Sequence, residues 1–488
     1  MRIAPLVVLS ACAAFGQDYD VVIANGRVMD PASGVDAVRH VGIRGGRIAA
    51  VSATALRGKT TVDAKGLVVA PGFIDLHQHS HTSEAYRYKA MDGVTTALEL
   101  EVGVSPVSEW YAAHEGKSLI NFGASSGHIP ARMKVMHDTG GLLPRDGAVN
   151  RQATRDEQKA IAAAIEKGLD EGGLGMGVGI AYTPTADADE ILSLFYLAAK
   201  FKRPVFVHMR DAGNVIVALQ EVITDAAATG APLHVLHINS AATVKTPEAL
   251  RLLEGVRARG LDVTTEAYPY TAGMTEIAAS RFQGWENQPP EYFARFMWPP
   301  TGERLTKDSF ARYRKQGGFL VMFTNTEEMV KLAIANPMVM IASDGIMENG
   351  IGHPRAAGTY ARVLGKYVRE EKALSLMDAI RKSSLMPAQR LEGMSSQMRQ
   401  KGRIKVGTDA DISVFDPRRV IDKATFQNAS QYSEGFRYVL VEGTFVVRDG
   451  RLQEGVNPGQ GIRAGSSPSR STRVDSQGFQ KSPKRSGG

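Results

Sequence analysis

Between Pro71 and Gln400 the chain repeats one unit, a short apolar run of strand character followed in many places by a helical stretch. Runs at residues 72–76, 95–101, 119–124, 174–179, 204–208, 233–238, 262–267 and 337–343 make eight such strands. Helical signals lie between many of them. Thr154 stands three residues before Glu157 as a capping pair for a helical pattern that runs to residue 169, and Thr246 reads as an N-cap with Pro247 at the first helical position. Eight strands alternating with helices predict an α/β fold closed into a parallel barrel. In such a barrel the catalytic side chains gather at the C-terminal ends of the strands. The last connection, residues 268–336, is too long for a simple turn and holds Trp285, Trp298 and several prolines. We read it as an insertion that partly covers the barrel mouth.

The two ends of the chain have a different texture. Residues 18–69 are short β-type runs broken by Asn25-Gly26 and Gly45-Gly46, and the same pattern returns at 411–415 and 438–447, closed by Asp449-Gly450. One small β-domain assembled from both ends, with the barrel inserted between them, accounts for this. The expected division is an export segment at 1–17, the N-terminal part of the β-domain at 18–70, the barrel at 71–400, the C-terminal part of the β-domain at 401–463, and a tail at 464–488.

The net charge of +7 is mostly tail: residues 464–488 hold five Lys or Arg against the single Asp475, which is +4. Rich in Ser, Gly, Arg and Lys and poor in apolar residues, the tail is expected to stay disordered. No nucleic-acid partner is expected for the folded body. At the other end Met1-Arg2, an apolar run from Ile3 to Leu9 and the small residues Ser10, Ala11, Ala13 and Ala14 read as an export signal cleaved near Gly16 or Gln17, which predicts a periplasmic or extracellular enzyme. Leu9-Ser10-Ala11-Cys12 also fits a lipobox, in which Cys12 would carry a lipid anchor. Cys12 is the only cysteine. An intramolecular disulfide and a thiolate metal site in the folded body are therefore excluded.

His77 and His79 lie two apart at the end of the first strand, so period-two alternation turns both imidazoles to the same side. His208 ends the fifth strand, His237 the sixth, and Asp344 the eighth. Five N/O donors then meet on one rim, a set that zinc and other borderline metals accept. A second ion needs a bridging ligand, for which Glu99 and Glu101 both qualify; Glu101 is preferred because it is nearer the strand's end.

PGFIDLHQHS, GVTTALELEVG, GHIPARMKVM, HVLHINS, EAYPYTAG, SDGIMENGIGHPR and KGRIKVGTDADISVFDP together resemble the amidohydrolase superfamily, and within it the D-aminoacylase (N-acyl-D-amino-acid deacylase) family, over nearly the whole chain except the tail. The resemblance implies a distorted TIM (β/α)8 barrel with a small β-sandwich, with His77, His79, His208, His237 and Asp344 as metal ligands. It further implies Tyr182 and Tyr268 in the substrate pocket. Two departures stand out. Where the family's second strand ends in a ligating cysteine, this chain has Val102 with Glu101 beside it, and where the family has a lysine after the sixth strand for the substrate carboxylate, this chain has Asn239. Arg355 remains as a candidate for a bidentate carboxylate contact.

These readings together predict a metal-dependent hydrolase, with one or two zinc ions, that cleaves N-acyl-D-amino acids or related small amides. Asp344 would act as general base and then acid, and Tyr268 would stabilise the developing oxyanion. A cyclic-amide hydrolase or dipeptidase of the same superfamily is the alternative, and a metal-free binding or scaffold protein a lesser one.

Overall fold

The computed structural model describes residues 19–210 and 213–465. The expected export signal with Cys12, and nearly all of the basic tail, lie outside these residues. Eight parallel strands are hydrogen-bonded side by side in chain order: β1 (Phe73–Asp75), β2 (Val94–Val104), β3 (Asn121–Gly127), β4 (Met176–Gly179), β5 (Val205–His208), β6 (Leu233–Val235), β7 (Val263–Ala267) and β8 (Val339–Ile341). Nearly every residue in them is buried, including polar ones such as Glu99 and Glu101 of β2 and Thr265 and Glu266 of β7. The fold is a distorted TIM barrel.

The distortion is at the seam. β1 and β8 have three residues each and share no ladder. Side chains close the gap instead: Asp75 accepts the Ser343 N–H at 2.9 Å, the Ser343 hydroxyl at 2.6 Å and the Lys89 ammonium at 2.8 Å, all fully buried. Just above, a parallel bridge pairs Gln78 with Gly345, and the His79 N–H donates to Gly345 O at 2.9 Å. That bridge ties the chain beside His77 and His79 to the chain beside Asp344.

β2 carries a second irregularity. Its register with β3 breaks between Glu99 and Val104. Gly103 sits there at φ +66°, where an added Cβ would come within 2.6 Å of Gly127 Cα, so only glycine fits the bulge. Glu101 stands in this unpaired stretch.

Helices outside the barrel follow their sequence signals closely. The capping box of Arg155–Asp170 is formed as predicted, with the Glu157 carboxylate accepting the Thr154 N–H at 2.8 Å. At Thr246–Ala258 the cap lies one residue earlier than expected, at Lys245, and the Thr246 hydroxyl instead donates to Thr243 O at 2.6 Å.

Both chain ends contribute to one nine-stranded sheet. Val68–Pro71 runs antiparallel to Ile412–Phe415, joining the strands of residues 19–71 to those of residues 412–452. Ile23, Val41, Ile43, Ile412, Val414 and Leu440 form its apolar core. The ordered body extends further than the composition suggested. Ala464, counted with the tail, is buried and donates to Gly172 O at 3.0 Å, while Gly465 O accepts from Arg203 at 2.6 Å.

The connection from β7 to β8 folds into its own antiparallel sheet of Ala272–Glu276, Phe319–Phe323, Phe296–Trp298 and Glu303–Arg304. Phe296 of this sheet packs in one aromatic cluster with Phe282, Phe293 and Phe310. Gly273, Met274, Thr275, Glu276, Phe319 and Met322 of this insertion line the cavity at the barrel mouth. Among the described residues no helix is long and apolar enough to cross a membrane.

Candidate metal centre

His77 and His79 follow β1 directly and turn their Nε2 atoms to within 3.1 Å of each other. Glu101 Oε2 lies 2.9 Å from both nitrogens. Asp344, just beyond β8, brings its Oδ1 to 3.5 Å from His77 Nε2 and 3.3 Å from His79 Nε2. The other oxygen of Glu101 faces a second pair: Oε1 is 2.5 Å from His208 Nδ1 and 3.3 Å from His237 Nε2, and those nitrogens are 3.1 Å apart. Donor atoms about 2.0–2.2 Å from a shared tetrahedral ion stand roughly 3.4 Å from one another. Both sets approach that spacing, and they share Glu101.

Charge favours a cation at this position. Burial alone would push His77 down, but Asp344, Glu101 and Glu266 raise it to about 10. His79 is likewise raised well above its ordinary value, burial being overcome by Glu99, Asp344 and Glu101. Burial disfavours the charge on Glu101, yet His77 and His208 hold its carboxyl well below the usual range. A concentration of buried carboxylates that binds protons this tightly is equally suited to divalent ions. The backbone is strained at two of these positions, with φ +28° at His237 and +51° at Asp344.

Behind the ligand atoms stand carboxylates to which the sequence reading gave no such role. Glu266 of β7 accepts from His77 Nδ1 at 2.6 Å and from His234 Nε2 at 3.2 Å. Glu99 accepts from His79 Nδ1 at 2.9 Å and from the Val102 N–H at 3.1 Å. Each thus fixes the tautomer and tilt of an imidazole whose other nitrogen faces the centre. A charged residue inside the apolar run of β7 was the available signal for Glu266.

Tyr182 packs against His208, ring centres 4.7 Å apart. Tyr268 is buried and lines the same cavity, where the missing Cβ of Gly273 leaves its hydroxyl room. Arg355 departs from the expectation of a contact with substrate carboxylate. It is fully buried behind Asp344, with Nη2 2.8 Å from Asp344 Oδ1, and does not line the cavity. Arg281, from the insertion, is the arginine on the cavity wall. The free volume is about 30 Å³, room for a water or two.

A third carboxylate cluster, Asp409, Asp411 and Glu442, is filled by the Lys401 ammonium at 2.9, 2.7 and 2.8 Å. It is a buried structural knot.

Four imidazoles and two carboxylates at the C-terminal rim of a TIM barrel, spaced for divalent ions and roofed from bulk water, define a metal-dependent hydrolase. The chain belongs to the amidohydrolase family, whose sequence profile matches residues 60–127 and 137–447. It is similar to the N-acyl-D-glutamate deacylase of Alcaligenes xylosoxydans xylosoxydans, with 29% identity over 88% of this chain and 94% of the relative. The D-aminoacylase of the same organism is 29% identical over the same shares. A crystal structure of N-acyl-D-glutamate deacylase from Bordetella bronchiseptica, complexed with zinc and a phosphonate inhibitor that mimics the tetrahedral intermediate, superposes with a TM-score of 0.79 at 27% identity, covering 92% of this chain and 100% of that one.

Proposed function

We propose that this enzyme hydrolyses the amide bond of N-acyl-D-amino acids, using zinc held by His77, His79, His208, His237, Asp344 and a bridging Glu101. The observation that carries the reading is the division of Glu101, one oxygen on each imidazole pair; the substrate class is supported by the likeness to deacylases across nearly the whole chain. Bound zinc would lower the pKa of water toward neutrality and polarise the scissile carbonyl.

The chain's own residues supply the rest. Asp344 is held as a carboxylate: burial opposes its charge, but Arg355 and His77 keep it well below the usual carboxylate range. In that state it accepts the proton from the attacking water and then delivers it to the leaving amine. Burial raises the pKa of Tyr268, so its phenol stays protonated and donates a hydrogen bond to the carbonyl oxygen as negative charge develops. Tyr182 bounds the substrate space beside His208. The cover excludes water from the reacting amide.

The N-terminal sequence supports action after export, as a periplasmic or extracellular enzyme or one anchored through Cys12. Cell fractionation distinguishes these. The function itself is tested by incubating zinc-loaded enzyme with paired N-acetyl-D and N-acetyl-L amino acids, dihydroorotate and dipeptides. Preferred release of acetate from the D series supports the proposal, and preferred turnover of the cyclic amide or the dipeptides overturns it.

A further inference from the structure

The cavity wall holds a carboxylate for which the proposed hydrolysis has no use. Glu276 ends the strand Ala272–Glu276, is 6% exposed, and lines the same cavity as Glu101, His208 and Asp344. Its Oε2 meets no donor in hydrogen-bond geometry among the described residues, although the Arg145 guanidinium and the Leu143 and Leu142 backbone lie close to the carboxylate. Arg145 Nη2 lies 3.5 Å away, inside ion-pair range but outside hydrogen-bond geometry, on a side chain that is 42% exposed. A buried acceptor whose nearby donors are poorly aligned costs stability, and such a cost is retained where a ligand supplies a better donor.

The surroundings say which donor. A carboxylate side chain would be repelled by Glu276. An ammonium would meet Arg145 beside Glu276 and Arg281 on the same wall. An apolar side chain would strip water from Oε2 and give nothing back. A carboxamide is neutral, its NH2 donates to Glu276, and its carbonyl oxygen is compatible with a guanidinium on the wall. We propose that Glu276 sets side-chain specificity by accepting a hydrogen bond from a carboxamide, so that the preferred substrates are N-acyl-D-amino acids of the glutamine or asparagine type. This rests on the deacylase reading above.

The test compares kcat/KM for the N-acetyl derivatives of D-glutamine, D-glutamate, D-lysine and D-norleucine, using zinc-loaded full-length enzyme and the variants Glu276→Leu and Glu276→Gln. In the unaltered enzyme the glutamine derivative leads each of the others by about tenfold or more. In Glu276→Leu the glutamine-to-norleucine ratio falls by about tenfold. Glu276→Gln keeps an acceptor without the charge, so it retains the preference over norleucine and loses discrimination against glutamate. That second ratio carries the test if the leucine variant does not fold. Turnover of the norleucine derivative without a glutamine preference, or ratios that both variants leave unmoved, overturns the specificity assignment alone. No turnover of any of the four overturns the deacylase reading and this assignment with it.

Discussion

Arg355 Nη2 lies 2.8 Å from Asp344 Oδ1, and the same guanidinium carbon stands 4.5 Å from the centre of the Tyr268 ring. One buried cation thus sits against the proposed proton carrier and the proposed hydrogen-bond donor to the carbonyl. Burial would raise the pKa of Asp344, and Arg355 is the largest of the charges that lower it. Removing that cation removes support for the ionised form, so the pKa rises and the base is lost to protonation at higher pH. Arg355→Met is therefore expected to move the acidic limb of kcat/KM upward by about one to three pH units. A pH–rate profile whose acidic limb stays in place would show that Arg355 does not set the charge of Asp344.

Glu101 and Glu99 make different contacts and should fail differently. Glu101→Gln removes the charge shared by the two imidazole pairs, and bound metal is expected to fall from about two ions per chain toward one. Glu99→Gln leaves both sets of donors in place but loosens His79, which predicts a metal affinity about 10–100-fold weaker with unchanged capacity. Metal analysis after equilibrium dialysis at graded zinc concentrations separates the two. Loss of one ion in the Glu99 variant and retention of both in the Glu101 variant would exchange the roles.

Lys382 offers a test of the fold that does not depend on the centre. It is 1% exposed and donates to Ile334 O, and burial, followed by the charge of Arg381, pushes its pKa down to about 7. In the unfolded chain it titrates near ~10.4. Between these values the unfolded state binds more protons, so the lysine's contribution to stability rises with pH; below pH 7 both states are charged and the cost of burying the ammonium is fully present. Lys382→Met is expected to melt above the unaltered protein at pH 7, with a margin that narrows by pH 9.5. A margin that stays constant or widens with pH would contradict the assignment.

The barrel was legible in the chain because eight short strand-like segments alternate with helical patterns, even though β2 carries Glu99 and Glu101 and β7 carries Thr264, Thr265 and Glu266. The six metal-site side chains were legible because each stands at or just beyond the end of such a segment. What the sequence does not carry is contact between distant segments. Glu266 meets His77 only after β7 and β1 close across the barrel, and Asp75 meets Ser343 only at a seam too short for a backbone ladder. The motif around Arg355 supplies a guanidinium near the eighth strand, which reads as a substrate contact; in the fold that guanidinium is buried against Asp344 instead. The covering insertion is recognisable from its length, while its antiparallel sheet, with Glu276 and Arg281 on the cavity wall, depends on pairing between distant residues, such as Ala272 with Phe323 and Glu276 with Phe319. Ala464 was assigned to the tail on composition, but one backbone hydrogen bond to Gly172 and a buried methyl hold it in place.

The cluster around Glu101 is proposed as a metal centre that serves the hydrolysis of N-acyl-D-amino acids. The most direct measurement strips the purified protein of metal with a chelator, restores zinc stepwise, and follows release of the acyl group from an N-acetyl-D-amino acid. The stripped protein is expected to show no measurable hydrolysis, with activity recovering in step with bound zinc and that recovery falling by more than about a hundredfold in His77→Ala, His79→Ala and Asp344→Asn. Full hydrolysis by the stripped protein, or full recovery in all three variants, would contradict the proposal.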